Sequence, residues 1–104
     1  MSVRRGHAGK VDQNQKAIVA AFRAYGWSVT SLAQVGRGCP DLVCGRNGLN
    51  LLVEVKRANG KETPDEVTWR EAWRGKVCTV RTVEDVMALT NAERITNAGS
   101  VSRR

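Results

Sequence analysis

The amino-acid sequence predicts an α/β domain with a mixed four-stranded sheet flanked by helices. Segments with helical and strand periodicity follow one another in the order helix, three strands, helix, strand, helix. An Asn47-Gly48 pair between the second and third strands predicts a tight antiparallel hairpin. The second helix lies between the third and fourth strands, and a helical crossover of this kind predicts that the fourth strand is parallel to a neighbour.

The first helix is predicted over residues 12–25. Asp12 and Gln15 have the spacing of a capping pair at its start, and Gly26 provides the stop. Three large side chains share one face at helical spacing and are predicted to point into the core: Ile18, Phe22 and Tyr25.

Three strands are predicted to follow, at residues 27–32, 41–44 and 50–57. Side chains alternate between the two faces of a strand, so Glu54 and Lys56 share one face while Val53 and Val55 share the other. The hairpin pairs this strand with the one that begins at Asp41. The carboxylates of Asp41 and Glu54 are therefore expected to converge at one end of the sheet.

The second helix is predicted to begin with Thr63 as its N-cap, Pro64 in its first turn and Glu66 completing a capping box. Gly75 is expected to end it. Glu66 has two open interpretations, a structural ion pair with Arg70 one turn later and a catalytic role. The three tryptophans are predicted to lie in the core or at a dimer interface, with base stacking as the alternative: Trp27, Trp69 and Trp73.

Residues 77–81 are predicted to form the fourth strand, and Thr82 to cap a short helix that ends near Leu89. Both ends of the chain are polar and aperiodic. The predicted organisation is therefore a flexible basic tail over residues 1–10, one folded domain over residues 11–90, and a second flexible tail over residues 91–104.

The chain has 104 residues and a formal net charge of +7. That length allows one domain with a small core, for which dimerisation would supply extra burial. The positive charge favours a polyanionic partner, although much of it lies in the predicted tails. Three scattered cysteines and one histidine argue against a disulfide framework and against a zinc site. No long apolar run is present, so we expect no membrane span and a cytoplasmic location.

Asp41, Glu54 and Lys56 are the residues that suggest chemistry. Two convergent carboxylates suit a hard cation such as Mg²⁺ or Mn²⁺, which can hold a phosphate and activate a bound water. Lys56 could orient that water or neutralise the charge that develops on phosphorus. Separately, a Pro-Asp pair is more often a turn, and Glu-x-Lys in a strand is more often a solvated face. Because the two motifs flank the same hairpin and follow a glycine-rich loop, together they favour a catalytic site.

With these motifs, the segment from Gly36 to Arg81 resembles the PD-(D/E)XK nuclease superfamily, and more narrowly its small VRR-NUC branch. The resemblance rests on the Gly-x-Gly-x-Pro-Asp approach, the Glu-Val-Lys triplet, the Thr-Pro-Asp helix start, and the Val-Arg pair before the last helix. It implies a restriction-endonuclease-like αβββαβ core. It also implies a phage or prophage protein that acts as a homodimer, similar to Holliday-junction resolvases.

The resemblance further implies that Asp41 and Glu54 bind a divalent cation together with the backbone carbonyl of Val55, and that Lys56 positions the attacking water. Family members commonly carry a glutamate in the first helix, where this chain has Gln15. Gln15 is therefore a candidate to contact a metal-bound water, or only a helix-capping residue. Four residues are candidates for DNA contacts, Arg37 being the best of them: Arg37, Gly38, Arg57 and Lys61.

The leading functional hypothesis is a metal-dependent, structure-selective DNA endonuclease that recognises the shape of branched DNA. A second hypothesis is a non-catalytic nucleic-acid-binding module on a degenerate nuclease fold, which Gln15 favours. A third is a subunit of a restriction or tRNA-processing nuclease, since the same core serves those systems.

Overall fold

The structure, a computed structural model, describes the backbone of residues 2–102 and the side chains of residues 13–93. Its elements follow in the predicted order: α1 (Ser2–Ala24), β1 (Ser28–Ser31), β2 (Leu42–Arg46), β3 (Leu49–Val55), α2 (Pro64–Ala72), β4 (Val77–Val80) and α3 (Val83–Ser102). The strands form one sheet in the order β1-β2-β3-β4. The first two pairings are antiparallel, and β4 is parallel to β3. The predicted fold class is confirmed.

The hydrophobic core lies between the sheet and helices α1 and α3. Phe22 is fully buried and meets Trp27 edge to face, with ring centroids 5.7 Å apart. The indole N–H of Trp27 donates a buried 2.8 Å hydrogen bond to the hydroxyl of Thr90 on α3. These contacts join both helices to the first strand. The remaining buried apolar side chains are Ile18, Ala21, Leu42, Cys44, Leu51, Val53, Val80 and Val86.

The hairpin between β2 and β3 has the predicted two-residue turn. Arg46 pairs with Leu49, and Asn47 and Gly48 both have positive φ angles, of 53° and 80°. This is the type I′ geometry that matches the twist of a hairpin. The turn sets the register that pairs Leu42 with Val53, which brings the start of β2 beside the end of β3.

Both terminal helices are longer than predicted. Helix α1 begins at Ser2, so the predicted cap at Asp12 is wrong: Asp12 lies inside the helix, and no proline interrupts the chain before Pro40. Helix α3 continues to Ser102 instead of ending near Leu89, and the buried residues Thr90 and Glu93 pack beyond that point. The side chains of residues 1–12 and 94–104 lie outside the described part, so the flexibility expected of the tails stays a prediction.

Tyr25 and the second helix also differ from expectation. Tyr25 is 37% exposed because α1 ends at Ala24, which takes Tyr25 off the buried face. Helix α2 ends at Ala72, three residues before Gly75, and buries no residue of its own. Trp27 is a core residue as predicted, but Trp73 is 47% exposed and stacks on Trp69 at the surface.

The three cysteines are free thiols, of which Cys44 is buried while Cys39 and Cys78 are half-buried. In the part of the chain that the structure describes, no helix is long and apolar enough to cross a membrane.

Candidate active site

The candidate site lies at the end of the sheet where β2 begins and β3 ends. Asp41 comes directly before β2, and one of its carboxylate oxygens accepts a 2.7 Å hydrogen bond from the backbone N–H of Val55. The N–H of Lys56 bonds the carbonyl of Val80 in β4, so the backbone groups of Val55 face β2. This hydrogen bond fixes the Asp41 carboxylate beside the end of β3.

Pro40 also affects the backbone hydrogen bonding at this end of the sheet. Continuing the register of Leu42 with Val53 by two residues places Pro40 opposite Val55. Proline has no N–H, so it cannot donate the ladder hydrogen bond that the Val55 carbonyl would otherwise accept. Asp41 therefore supplies a carboxylate, and Pro40 leaves the backbone carbonyl oxygen of Val55 directed to the same side.

Lys56 lies in a network of acidic side chains. Its ammonium nitrogen is 3.3 Å from a carboxylate oxygen of Glu54 and 2.5 Å from Oε1 of Glu66 on α2. The same oxygen of Glu66 accepts the N–H of Thr63 at 2.8 Å, and the hydroxyl of Thr63 accepts the N–H of Glu66. The capping box thus anchors the carboxylate that holds Lys56 in place.

Burial gives these groups unusual proton affinities. Burial, a hydrogen bond with Glu66 and the charge of Asp41 raise the pKa of Glu54 to about 8. Burial also raises the pKa of Asp41, against the opposing effect of the Val55 hydrogen bond. Burial opposes ionisation of Glu66, but hydrogen bonds from Lys56 and Glu54 outweigh it and lower the Glu66 pKa to about 2.

Lys56 remains a cation. Its burial lowers the pKa, but the hydrogen bond to Glu66 and the charge of Glu54 outweigh this effect and leave the pKa raised. The ammonium is therefore a fixed positive charge and a hydrogen-bond donor, and it is not a proton acceptor at neutral pH.

A divalent cation fits this chemistry. Asp41, Glu54 and Glu66 lie near one ammonium, so full ionisation leaves excess negative charge in this half-buried cluster, and that excess adds to burial in raising the pKa of Glu54. No group of three His, Cys, Asp or Glu side chains forms a ready metal cage among the residues described. A cation would instead be held by Asp41, Glu54 and the Val55 carbonyl, with water completing the shell, as Mg²⁺ prefers.

The structure brings together Asp41, Glu54, Lys56 and Val55 as predicted, and it adds Glu66. Of the two interpretations left open for Glu66, the ion pair with Arg70 is not the one formed, because Arg70 pairs with Glu62 and Glu66 pairs with Lys56. The capping box was the available signal for Glu66, since it turns the carboxylate back towards the helix start. Gln15 lies on α1, its side chain makes no hydrogen bond to the described residues, and the cleft that it lines contains no member of the acidic network.

Of the predicted DNA contacts, Arg37 and Gly38 lie in a loop that packs on α2. Arg37 is exposed with a φ angle of 58°, which is uncommon for a residue other than glycine. A side chain at Gly38 would come within 2.2 Å of the carbonyl oxygen of Asp65, so only glycine fits there. The close packing of Gly38 therefore holds this loop against α2, in a position where the neighbouring Arg37 is exposed to solvent.

Arg57 and Lys61 are both exposed and flank a loop that Arg81 holds in place. One nitrogen of the Arg81 guanidinium donates to the carbonyls of Arg57 at 2.7 Å and Gly60 at 2.8 Å. Arg81 itself is positioned at the end of β4, where its backbone N–H donates to Asp85. The two predicted phosphate contacts thus depend on a residue outside the acidic network.

Changing Arg81 to methionine is expected to lower the free energy of unfolding by about 1–2 kcal/mol, since the carbonyls of Arg57, Ala58 and Gly60 lose a charged donor. Urea denaturation measures this, and hydrogen exchange should show faster opening of the amides of residues 57–61. Arg81→Lys is the matched control for charge, because it keeps the positive charge while a flexible ammonium replaces the rigid guanidinium. Unchanged stability in both variants would show that the loop is held by other contacts.

Comparison with solved structures finds one described as a VRR-NUC domain. Its sequence is 31% identical to this chain, the TM-score is 0.64, and the match covers 77% of this chain and 92% of that one. No protein-family model and no curated protein matches the chain. The identity and coverage, together with the TM-score, confirm the resemblance inferred from the sequence motifs. The chain belongs to the VRR-NUC family of nucleases.

Proposed function

We propose that this nuclease is a Mg²⁺- or Mn²⁺-dependent DNA endonuclease that selects branched DNA and acts as a homodimer, in the manner of a Holliday-junction resolvase. The observation that carries the proposal is the convergence of Asp41, Glu54 and Lys56 at one end of the sheet, with Asp41 fixed by the Val55 N–H. Phosphodiester hydrolysis needs such a site because the anionic phosphate repels the attacking oxygen.

Each group has a distinct role in this proposal. A bound divalent cation would supply charge neutralisation and a more acidic water. Asp41 and Glu54 supply the oxygens that hold it. Lys56 donates a hydrogen bond to the phosphate or to the attacking water, and its position is set by Glu66, 2.5 Å away. Because this ammonium is fixed before substrate arrives, little reorganisation is needed as charge develops.

DNA binding is supported by the net charge of +7 and by the exposed cations beside the site. Arg37 lies on the loop before Asp41, while Arg57 and Lys61 lie on the loop after Lys56. Contacts of this kind engage phosphates and carry no base information, which fits recognition of DNA shape.

A homodimer is supported by apolar surface that the single chain leaves exposed. Val83 and Met87 lie one turn apart on α3, and they are 41% and 40% exposed. A second copy could cover them and add to the small core. Sedimentation velocity of the full chain tests this, with Met87→Glu as the variant expected to shift the species towards a monomer.

A cleavage assay tests the proposed activity. Purified protein is incubated with four-way junction, flap, splayed and linear DNA, each with Mg²⁺, Mn²⁺ or EDTA. The proposal expects cutting of branched DNA that requires a divalent cation. If no substrate is cut with either metal while DNA affinity is retained, the chain is instead a binding module on this fold.

The role of Glu66 gives a sharper prediction. Glu66→Gln keeps an oxygen for the capping box but removes the charge beside Lys56, so the cleavage rate should fall about 10-fold or more. The free energy of unfolding at neutral pH should fall by about 1–3 kcal/mol, because the charged hydrogen bond to Lys56 is weakened. Glu62→Gln is the matched control, because Glu62 pairs with Arg70 and not with Lys56. Equal rates for Glu66→Gln and wild type would remove Glu66 from the site.

A further inference from the structure

We infer that the groove between Arg37 and the outer face of α2 binds an unpaired nucleobase of the DNA next to the scissile phosphate. The groove is lined by Arg37, Asp65, Thr68, Trp69, Ala72 and Trp73. This inference rests on the proposed function only in taking DNA as the ligand. It assigns a substrate feature, an unpaired nucleotide beside the cleaved bond, that the acidic network alone does not specify.

Two tryptophans form a flat aromatic surface in the groove. The rings of Trp69 and Trp73 are stacked, with centroids 4.7 Å apart and planes inclined by 17°. Trp73 is nevertheless 47% exposed, and α2 buries no residue against the rest of the chain. Such a pair, already ordered and open to solvent, offers a face on which a planar base can stack.

Trp73 is also closely approached at one edge. A Cβ on Gly75 would lie 2.7 Å from the indole nitrogen of Trp73 and 3.4 and 3.6 Å from the two carbons beside it, so Gly75 lies at the nitrogen edge of the ring. Trp69 covers one face of the ring and Gly75 approaches one edge, which leaves the other face open. Little conformational entropy would be lost when a base stacks on it.

Arg37 brings positive charge to the rim of the groove. It is exposed, and its loop is pinned to α2 by the close packing of Gly38 on the carbonyl of Asp65. A guanidinium beside two indoles matches a nucleotide, whose base stacks on aromatic rings while its phosphate pairs with a cation. Asp65, the acidic member of the groove, would accept a hydrogen bond from an amino or imino group of the base in this arrangement.

The groove is connected to the acidic network through two consecutive residues of α2. Asp65 lines the groove, and its neighbour Glu66 holds Lys56 at 2.5 Å. Arg37 lies four positions before Asp41 on the loop that leads into β2. A nucleotide in the groove would thus be close to the phosphate at the metal-binding carboxylates, which is the place where a junction or flap presents unpaired bases.

The charge favours DNA over a second copy of the chain as the occupant. Each copy carries an arginine at the rim of this groove, so pairing two such faces would bring like charges together. Single-stranded DNA offers aromatic rings and negative charge together.

The test is an abasic scan of binding, performed in EDTA so that no cleavage is needed. The probe is a fluorescent duplex with a single-stranded thymidine tail, together with the blunt duplex and tails in which each base is removed in turn. For wild type, removal of the base at one tail position should weaken binding about 10-fold. Trp73→Ala should weaken binding of the intact tail by a similar factor and show no further loss at that position. Affinity for the blunt duplex should stay within about 2-fold.

Two variants serve as controls. Trp73→Phe keeps an aromatic face and should retain most of the tail affinity, whereas Tyr25→Ala removes an exposed aromatic side chain near the β2–β3 turn and should leave it unchanged. If the loss of affinity caused by Trp73→Ala and the loss caused by the abasic site are additive when the two are combined, the inference is overturned. It is also overturned by a loss that is equal for blunt and tailed DNA and accompanies a change of oligomeric state, which would make the groove an interface between copies.

The outcome is separable from that of the proposed function. If the effects of Trp73→Ala and of the abasic site are coupled, that is, not additive, but the protein cuts no DNA with Mg²⁺ or Mn²⁺, the proposed enzyme activity is refuted and the base-binding site stands. A protein that cuts branched DNA without the coupling refutes the base site alone.

Discussion

Replacing Asp41 by asparagine is expected to lower the cleavage rate about 10²–10³-fold, the size of effect seen when one group that stabilises charge in a transition state is lost. Asparagine keeps an oxygen that can accept the Val55 N–H, so the geometry at the end of β3 should survive. What is lost is one of the two negative charges proposed to hold the cation. The measurement is the single-turnover rate on a four-way junction at saturating Mg²⁺.

Affinity for the same junction in EDTA should stay within about 3-fold of wild type, because Asp41 carries no positive charge to contribute to phosphate binding. Glu84→Gln provides the matched control. Glu84 is exposed in the first turn of α3, and its loss should change neither rate nor affinity. A rate for Asp41→Asn close to that of wild type would remove Asp41 from the chemistry.

The metal-free protein should become less stable as the pH rises, and Glu54 should be the main cause. Its pKa is about 8 in the folded protein and 4.5 for an ordinary glutamate, so the folded state holds a proton that the unfolded chain releases. The stability associated with this proton is complete below pH 4.5 and is lost as the pH rises through 8. We expect the free energy of unfolding to fall by about 2 kcal/mol between pH 6 and pH 8.5 in EDTA.

Glu54→Gln should remove most of this slope, because an amide mimics the protonated carboxyl and never ionises. Urea denaturation at several pH values measures the slope, with Glu84→Gln as the control that should keep it. The titration of Glu66 does not contribute to the slope between pH 6 and pH 8.5. Its low pKa gives stability that is present above pH 4.5 and is lost only as the pH falls towards 2. An equal slope in Glu54→Gln and wild type would contradict the assigned environment of Glu54.

The elements with strong local signals were predictable. Asn47 and Gly48 adopt the positive φ angles that their hairpin requires, and Thr63 with Glu66 forms the predicted capping box. The ends of the terminal helices were not predictable from local signals. Polar residues without a proline leave a helix free to continue, and α3 is supported past Leu89 by the tertiary contact of Thr90 with Trp27.

The site was predictable where strand alternation and the hairpin determine it. Glu54 and Lys56 lie on one face as expected, and Asp41 reaches the end of β3. For Glu66, the capping role was predictable because it depends on local sequence. Its contact with Lys56 was not, because that contact depends on how α2 packs on the sheet. The stacked tryptophans show the same limit. Their spacing predicts a shared face, but whether that face is buried depends on the packing of α2.

The central claim is that Asp41 and Glu54 hold a divalent cation, and titration calorimetry of Mn²⁺ into the full-length protein at neutral pH tests it most directly. Wild type is expected to bind Mn²⁺ in the stoichiometry of one ion per chain and to release protons on binding, because Glu54 must ionise to bind it. Asp41→Asn should bind at least about 10-fold more weakly, and Glu84→Gln should match wild type. No Mn²⁺ binding by wild type, or equal binding by Asp41→Asn, would contradict the assignment.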